Sequence, residues 1–416
     1  MQPARLLVGA ATCALALTAT TGTAATPARP AAPVVSSEPS LAVALGRALH
    51  VPDVDLHRTG ALAVDLRTGR VVFRRNDALA LAPASSEKLA VTLAALRVLG
   101  PGFRFRTEVA GDGALGDGVW HGDLVLVGAG DPTLTLADLG RLAGSLRAYG
   151  IRRVSGRIVG DEHHFDTLRA APDWKPSFLG FESAPLSALV VEGVPIPAAN
   201  SSAAAAARAF RAALGRRGVR VAGQATTGRA RADAVQLAVD VSAPLSRIVR
   251  EMNRESDNFV AEMIVKELGA TVAERGSTAA GIDVVRTSLA EAGIPLAGVR
   301  LADGSGLSLG DRLTTRALVA ILENGADDRA IGPTFVDSLA VAGESGTLEH
   351  RLARRPTRGR VRAKTGTTDE ASALAGFVRD RYVFAVLQNG SPVDAWAARL
   401  AQDRFVTVLA RRASSS

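Results

Sequence analysis

The chain has 416 residues, of which 47% are hydrophobic and 22% are charged, a composition typical of a globular protein with a sizeable core. Its net charge of +8 comes from basic residues spread along the chain. Because there is no aromatic-interleaved basic patch and no zinc-finger spacing, the composition argues against a nucleic-acid-binding protein. The length fits two domains, or one large domain with an insertion.

The first 25 residues have the pattern of a signal peptide. Arg5 precedes the apolar stretch LLVGAATCALALTA, and TGTAA supplies small residues for cleavage near Ala25. About fourteen apolar or small residues are too few to span a bilayer comfortably. The only cysteine, Cys13, lies inside this stretch rather than after it, which disfavours lipid attachment and leaves the mature protein without a thiol. We predict a secreted, extracytoplasmic protein of the cell wall or a periplasm-like space, with no stable membrane anchor.

A Pro/Ala/Ser-rich linker at 26–40 leads into the folded part of the chain. Helical spacing is present in LAVALGRALH (41–50), and TGALAVDL and VVFRR alternate as the two strands of a β-hairpin do. The stretch SSEKLAVTLAALRVLG predicts a helix that begins at or just after Ser85 and stops at GPG (100–102).

Residues 101–239 have short strand patterns and glycine-rich turns, interrupted by helical stretches such as NSSAAAAARAFRAALGRRG. Long helices return from about 243, followed by the strand patterns RVRAKTGT, ASALAGFVR and RYVFAVLQNG and by a final amphipathic helix. We therefore predict one α/β domain formed by residues 41–100 and 240–414, interrupted by a β-rich inserted domain at 101–239, which we call the insert.

Lysine is rare here, since only four of the 49 lysines and arginines are lysines, and Lys88 follows Ser85 by one helical turn. Residues three apart on a helix face the same side. A serine becomes a nucleophile when a base takes its proton, and lysine can be that base if its pKa is lowered. Free N–H groups at a helix start also suit a developing oxyanion. Alone, the pattern fits an N-cap serine and a solvated lysine equally well.

A second candidate group is ESDNFVAE, in which Ser256, Asp257 and Asn258 open a helix. The Ser256 hydroxyl could relay a proton to a leaving amine, and the Asn258 amide could orient a substrate carbonyl. A Ser/Asp N-cap explains the same pattern at least as well when it is taken in isolation.

The third group is RAKTGTTD, where Lys364, Thr365, Gly366 and Thr367 fall in a strand pattern. A glycine in a strand often marks the close approach of another backbone, as occurs when an edge strand pairs with an extended peptide. Lys364 and the threonine hydroxyls could hold a terminal carboxylate. The alternative is a turn followed by a surface lysine.

In this order, S-x-x-K, S-D-N and K-T-G are the motifs of penicillin-binding proteins and class A β-lactamases. Over nearly its whole mature length the chain resembles the D-alanyl-D-alanine carboxypeptidase/endopeptidase family of low-molecular-mass class C penicillin-binding proteins. The wide gap between the first two motifs suits this family, which inserts extra domains there. The resemblance also rests on GDLVLVGAGDPTL (122–134), GRIVGDEHHFD (156–166), MNRESDNFVAEM (252–263), LADGSGLS (301–308) and AGESGTL (342–348).

The resemblance implies a penicillin-binding/β-lactamase-like transpeptidase fold, an antiparallel sheet flanked by helices, with a β-rich insert. It implies that Ser85 is the acylated nucleophile, that Lys88 is its base, and that the N–H groups of Ser85 and Thr367 form the oxyanion hole. It also implies that the other two motifs supply the remaining catalytic and substrate-binding residues, namely Ser256, Asn258, Lys364, Thr365, Gly366 and Thr367.

By the same resemblance the protein is a serine-type D,D-carboxypeptidase that can also act as a D,D-endopeptidase. Its substrates would be peptidoglycan stem peptides, β-lactams would acylate and inhibit it, and no metal or organic cofactor is implied. One alternative is a β-lactamase, which needs a carboxylate to activate the deacylating water, and the sequence shows no convincing one. Another is a wall-associated binding or sensing protein with the same fold and little turnover.

Two further patterns suggest other chemistry. Ser308 lies in a G-x-S-x-G match, with Asp337 and His350 following in α/β-hydrolase order, but a polar turn precedes it where that fold needs a buried strand. His163 and His164 lie in DEHHFD, where adjacent strand residues would face opposite sides and could not share a metal. We therefore predict loop roles for both stretches.

Overall fold

The computed structural model describes residues 40–196 and 201–414. The predicted signal peptide, Cys13 and nearly all of the predicted linker lie outside these residues. The described residues pack as one compact unit. None of the helices in this part of the chain is long and apolar enough to cross a membrane.

The α-helices of the described residues are α1 (Leu41–Leu49), α2 (Lys88–Val98), α3 (Leu136–Ala148), α4 (Ser202–Arg216), α5 (Leu245–Glu255), α6 (Asn258–Ala273), α7 (Thr278–Glu291), α8 (Thr315–Asp327), α9 (Gly332–Asp337) and α10 (Ala395–Ser414). The β-strands are β1 (Thr59–Asp65), β2 (Arg70–Arg75), β3 (Arg106–Gly116), β4 (Val119–Gly128), β5 (Arg153–Val154), β6 (Ile158–Asp161), β7 (Arg220–Val221), β8 (Ala225–Thr227), β9 (Val235–Val241), β10 (Ala340–Val341), β11 (Val361–Thr367), β12 (Ala371–Val378) and β13 (Tyr382–Asn389). Short 3₁₀ turns lie at Leu56–Arg58, Ala84–Glu87, Pro176–Phe178 and Gly346–Leu348.

The main sheet has six strands in the order β10-β11-β12-β13-β1-β2, and each neighbouring pair is antiparallel. Strands β12 and β13 are buried along their whole length, because helices cover both faces of the sheet. Alternate residues of β13 supply two cores, as the period of a strand requires. Val383 and Leu387 belong to the core with α2 and α8, whereas Phe384 and Val386 belong to the core with α1 and α10. This is the predicted antiparallel sheet flanked by helices.

A second sheet of seven strands lies between residues 106 and 241, almost wholly in the predicted insert. Its centre is the β3–β4 hairpin, which β9 extends on the β3 side. On the other side all pairs are parallel, joining β4 to β5 and β6, β5 to β7, and β6 to β8. Leu139 and Leu142 of α3 and Phe210 of α4 pack in its core. This stretch is β-rich as predicted, while the exact domain boundaries stay a prediction.

A segment of the insert packs against α6. The side chain of Lys266, on α6, has no exposed surface, and its Nζ lies 2.6 Å from Asp166 Oδ1. The next residue, Glu267, places its Oε2 2.8 Å from His164 Nε2. The insert therefore supplies the partners of two side chains on α6, the helix that begins with Asn258.

Candidate active site

Ser85 lies in a tight turn. It belongs to the 3₁₀ turn Ala84–Glu87, and α2 follows directly at Lys88, so the helix begins just after Ser85 as predicted. Ala84 has a left-handed φ of 46°, a strained conformation for a residue with a Cβ. A Cβ on Gly306 would lie only 2.0 Å from Ala84 O, so another backbone segment presses on the turn. This crowding fixes the position of the serine.

Lys88 has no exposed surface, and its amine faces three oxygen atoms. Its Nζ lies 3.0 Å from Ser85 Oγ, 2.8 Å from Asn258 Oδ1 and 2.6 Å from Ser305 O. Burial lowers the pKa of Lys88 to about 8, although the charge of Asp303 opposes this shift. A useful fraction of the amine is therefore neutral near pH 8, the state that a general base needs.

The second motif lies where two helices meet. Ser256 ends α5 with a left-handed φ of 63°, and Asp257 caps α6 by accepting a hydrogen bond from a backbone N–H. Asn258 accepts a hydrogen bond from Lys88 through Oδ1 and donates through Nδ2 to Glu182 O at 3.0 Å. The cap and the predicted site therefore coexist, because Asp257 does the capping and its two neighbours line the cleft.

The third motif lies on β11. Lys364 has no exposed surface, and its Nζ donates to Ser256 Oγ at 2.7 Å and to Thr365 O at 2.9 Å. Burial, together with the charge of Lys88, holds the pKa of Lys364 well below its usual value. The second and third motifs therefore meet at the Ser256 hydroxyl, which can relay a proton from one group to another.

Gly366 sets how closely β11 approaches the serine. A Cβ at this position would lie 3.0 Å from Ser85 N, and equally close to Pro83 O and to Ala84 Cβ. Real Cβ contacts are rarely so short, so any larger residue would have to push the strand away from the turn. The close backbone approach expected for a glycine in a strand is therefore present.

The three motifs line or underlie one cleft of about 780 Å³. Strand β10 pairs only with Arg362 and Ala363 of β11. Within the described residues, the stretch 364–367 therefore has no strand partner on the cleft side, and an extended peptide can add to such an edge. The structure brings together all of the predicted site residues, which are Ser85, Lys88, Ser256, Asn258, Lys364, Thr365, Gly366 and Thr367.

A loop that the sequence analysis did not assign to the site shapes the surroundings of Lys88. Asp303 accepts hydrogen bonds from two side chains, those of Trp174 and Ser305, and from the backbone N–H groups of Gly306, Leu307 and Ser308. The resulting turn directs Ser305 O at Lys88 Nζ. The stretch DGSG signals a turn, but its contact with a lysine 217 positions away has no signal in one sequence.

Four buried carboxyl groups lie near Lys88, those of Glu87, Glu262, Asp303 and Asp311. Among the described residues, both oxygens of Glu87 and one each of Glu262 and Asp311 lack a hydrogen-bond partner, which is costly for an ionised group. Burial, and then repulsion by neighbouring carboxylates, raises the pKa of Glu87 well above its usual value. The same causes raise the pKa of Glu262 to about 8 and that of Asp311 to about 10.

Part of this cluster could in principle hold a metal. Glu87, Asp303 and Asp311 each have a carboxylate oxygen within 4.8 Å of the other two. Among the described residues, these three side chains are the candidate ligands for a metal ion. Both oxygens of Asp303 already accept hydrogen bonds, and the raised pKa values favour protons on the other two groups. Protons shared between the carboxyl groups of Glu87, Asp303 and Asp311 therefore explain how these groups can lie so close together.

The two other sequence patterns belong to other surroundings. Ser308 is buried, its hydroxyl accepts a backbone N–H at 3.1 Å, and no hydrogen bond joins it to His350 within the described ranges. His163 and His164 lie in a turn and contact different carboxylates, those of Asp161 and Glu267. Their nitrogens therefore do not converge on one point.

The structure resembles solved penicillin-binding proteins. The crystal structure of penicillin binding protein 4 from Haemophilus influenzae matches with a TM-score of 0.78 and 22% identity, covering 89% of this chain and 99% of that chain. Its complex with a β-lactam matches with a TM-score of 0.75 and 21% identity over the same shares. This likeness confirms the predicted fold class.

Sequence comparison identifies the family. The model of the D-Ala-D-Ala carboxypeptidase 3 (S13) family matches residues 41–203 and 195–412. The D-alanyl-D-alanine carboxypeptidase of Actinomadura sp. is 33% identical over 83% of this chain and 81% of its own length. The chain belongs to the D-Ala-D-Ala carboxypeptidase 3 (S13) family. The predicted family and the predicted enzyme class, a serine-type D-Ala-D-Ala carboxypeptidase, are both confirmed.

Proposed function

We propose that the chain is an exported serine D,D-carboxypeptidase that cleaves the D-Ala-D-Ala bond of peptidoglycan stem peptides through an acyl-enzyme on Ser85. Peptide cross-links, in which the D-alanine carbonyl is joined to an amine of a neighbouring stem peptide, are a second substrate class. The observation that carries the proposal is the 3.0 Å contact between Ser85 Oγ and the buried amine of Lys88. The unpaired edge of β11 beside it gives a peptide substrate a place to bind.

Acylation begins when neutral Lys88 takes the proton of Ser85 as Oγ attacks the carbonyl carbon between the two D-alanines. The carbonyl oxygen becomes an oxyanion that the N–H groups of Ser85 and Thr367 stabilise. When the C–N bond breaks, the proton that Lys88 took from Ser85 passes to the leaving amine through Ser256, whose hydroxyl contacts Lys364, so Lys88 is neutral again. The products of this half-reaction are free D-alanine and an ester on Ser85.

Deacylation uses the same groups, with water in place of the serine hydroxyl as the nucleophile. Water attacks the ester carbonyl, Lys88 takes a proton from the water, and the oxyanion again forms beside the same two N–H groups. Collapse returns the proton to Ser85 Oγ and releases the shortened stem peptide with a new carboxylate. Asn258, which contacts Lys88, orients the acyl group and the base relative to each other.

The pattern of the first 25 residues supports export, because a peptidoglycan substrate lies outside the cytoplasmic membrane. If the signal is used, the protein recovered from culture medium or cell wall should begin near Thr26. Amino-terminal sequencing of that protein tests this part of the proposal. A mature protein that still carries residues 1–25 would contradict it.

The reaction with a β-lactam tests the chemistry directly. A penicillin resembles the acyl-D-Ala-D-Ala end, so incubation should add one penicillin mass to the wild-type protein in an intact-mass measurement. Ser85→Ala should show no adduct, whereas Ser308→Ala should be acylated like the wild type. An undiminished adduct on Ser85→Ala would overturn the assignment of the nucleophile.

A β-lactamase is the second candidate, and one observation favours it. Glu182 lines the cleft, and its Oε2 lies 3.4 Å from Asn258 Nδ2, so a carboxylate is available near the acyl group. Fast β-lactam hydrolysis needs such a carboxylate to activate water. A chromogenic β-lactam separates the two functions: a carboxypeptidase turns over slowly, whereas a β-lactamase turns over rapidly and loses this activity in Glu182→Gln.

A further inference from the structure

The active-site cleft continues beyond the third motif toward the start of α10. Past Thr367 it is lined by Arg351, Trp396 and Arg399, and Ser85 lines the same cavity. A substrate that places its reacting carbonyl at Ser85 can therefore extend its leaving group along β11 toward α10. This is also the side of Lys364, whose contact with Ser256 serves the leaving amine.

Among the residues that the structure describes, Arg399 makes no salt bridge, although it lies within electrostatic range of Asp403, the carboxylate that Arg351 binds. Its side chain is exposed, and Nη2 donates a hydrogen bond to Thr367 Oγ1 at 3.2 Å. Within the described part of the chain, no carboxylate oxygen lies within 4.0 Å of its nitrogens. The neighbouring Arg351 differs, because its side chain is largely buried and its Nε lies 2.7 Å from Asp403 Oδ1. Of these two guanidinium groups, Arg399 is the one left to bind a ligand.

The lysines of the motifs cannot supply this charge equally well. Lys88 and Lys364 have no exposed surface, and burial lowers the pKa of both. Lys364 already donates to Ser256 Oγ and to Thr365 O. A substrate carboxylate at Thr365 and Thr367 would therefore meet neutral hydroxyls and the buried, already hydrogen-bonded amine of Lys364. Arg399 would add an exposed positive charge at this position.

We propose that Arg399 binds the α-carboxylate of the leaving amino acid, together with the hydroxyls of Thr365 and Thr367. The inference rests on the proposed function, which supplies the substrate. A guanidinium can form two parallel hydrogen bonds to a carboxylate, and a charged partner strengthens each of them. Arg399 needs little movement to do so, since Thr367, which it already contacts, lies at the edge where the leaving group binds.

Two substrates that differ only in this carboxylate test the proposal. One is a tripeptide ending in D-Ala-D-Ala, and the other is the same peptide with a carboxy-terminal amide. We expect Arg399→Gln to lower kcat/KM for the free acid by about 10- to 100-fold, the effect of losing a charged hydrogen-bond partner. For the amide we expect a change of less than about twofold. Arg399→Lys should recover part of the loss.

Arg404→Gln is the matched control. Arg404 is also exposed on α10 but does not line the cleft, so its loss removes the same charge without the proposed contact. We expect this variant to behave like the wild type on both substrates. If cleavage of the amide is too slow to measure, acylation by a penicillin and by its methyl ester, followed by intact mass, gives the same comparison.

The possible outcomes separate this inference from the proposed function. An equal loss on both substrates, or no loss on the free acid, would overturn the role of Arg399 while leaving the enzyme assignment intact. A wild-type protein that releases no D-alanine and forms no penicillin adduct would instead overturn the proposed function. A loss confined to the free acid supports both.

Discussion

The amine of Lys88 differs from that of an ordinary lysine in its surroundings. It has no contact with solvent, and the nearby carboxyls of Glu87, Glu262 and Asp311 have raised pKa values. The protonated forms of these groups carry no negative charge, so they do little to stabilise an ammonium ion. The buried cluster therefore allows the lysine to act as a base.

This environment predicts the pH dependence of acylation. Only neutral Lys88 can accept the serine proton, so the acylation rate should rise about tenfold per pH unit below pH 8 and level off above it. Rate constants for a penicillin, measured by intact mass between pH 6 and 10, provide the check. A flat profile would contradict the assignment of the base.

Lys88→Arg is the matched variant for the same measurement. Arginine keeps the positive charge and the length of the side chain, but it does not release its proton in proteins. We expect acylation to fall by at least about 100-fold at every pH, the contribution of a general base. Acylation within a few fold of wild type would show that another group takes the proton.

At the level of single residues, the sequence reveals what lies in contiguous motifs and little else. Ser85, Lys88 and Asn258 could be named because each belongs to a short pattern with a known chemical use. Arg399 belongs to no pattern, and its contact with Thr367 joins positions 32 apart through the packing of α10 beside β11. Helical periodicity places an exposed arginine on α10, but it does not tell which cleft the arginine borders.

At the level of elements, the main feature is the close approach of β11 to the turn that holds Ser85. Gly366→Ala adds a Cβ at 3.0 Å from Ser85 N and from Pro83 O, and neither is a flexible group. The strand must move away from the serine, which separates Thr367 N from Ser85 N. We expect penicillin acylation to fall by about 10- to 100-fold, as small misplacements at active sites do.

A second glycine provides the control for this variant. Gly215 lies in α4, and an added Cβ there meets nothing within 4 Å, so Gly215→Ala should leave acylation unchanged. Melting temperatures of both variants should be recorded beside the acylation rates. If Gly366→Ala is folded and is acylated at the wild-type rate, the close approach does not matter for the chemistry.

Secondary structure was largely predictable because its patterns are local. Alternation and helical spacing predicted the hairpin, the helix after Ser85 and the three late strands, which appear as β11, β12 and β13. The 3₁₀ turn before α2 was not predicted, because it depends on the backbone of Gly306 pressing against Ala84. The parallel pairs of the second sheet were missed for the same kind of reason, since they join segments far apart in sequence.

For the whole molecule, the buried carboxyls predict how stability changes with pH. The pKa of Asp311 is about 10 in the folded protein against an ordinary value of 3.8. Its contribution to stability is therefore complete below about pH 3.8 and is lost as the pH rises through about 10. Glu87 and Glu262 act in the same direction. We expect the free energy of unfolding to fall from pH 5 to pH 8, while the lowered pKa of Lys364 acts in the opposite direction.

Asp311→Asn isolates the contribution of one of these carboxyl groups. The amide resembles the protonated acid in shape but does not ionise, so the decline between pH 5 and pH 8 should be smaller than in the wild type. Asp283→Asn, at an exposed position of α7, should follow the wild-type curve. Urea unfolding at the two pH values gives the comparison. Parallel curves for Asp311→Asn and wild type would show that Asp311 is ionised throughout.

The ion pair between the insert and α6 predicts a large effect from a residue far from Ser85. Asp166→Ala leaves the fully buried Lys266 without its carboxylate. Removing one partner of a buried pair is strongly destabilising, and because Asp166 keeps some solvent contact we expect a loss of about 2–4 kcal/mol. Urea unfolding measures it, with Asp283→Ala as the exposed control. A loss no larger than that of the control would contradict the importance of the pair.

The ion pair between Asp166 and Lys266 also limits which residues can be deleted to make a shorter protein. A minimal enzyme made by deleting residues 101–239 would lose both the carboxylate that pairs with Lys266 and the apolar side chains, Phe165 and Ala188, that pack on Met263 of the same helix. The short segment around Asp166 is therefore needed to keep this face of α6 covered. Any trimmed version must keep that segment, or exchange Lys266 for an uncharged residue in the same step.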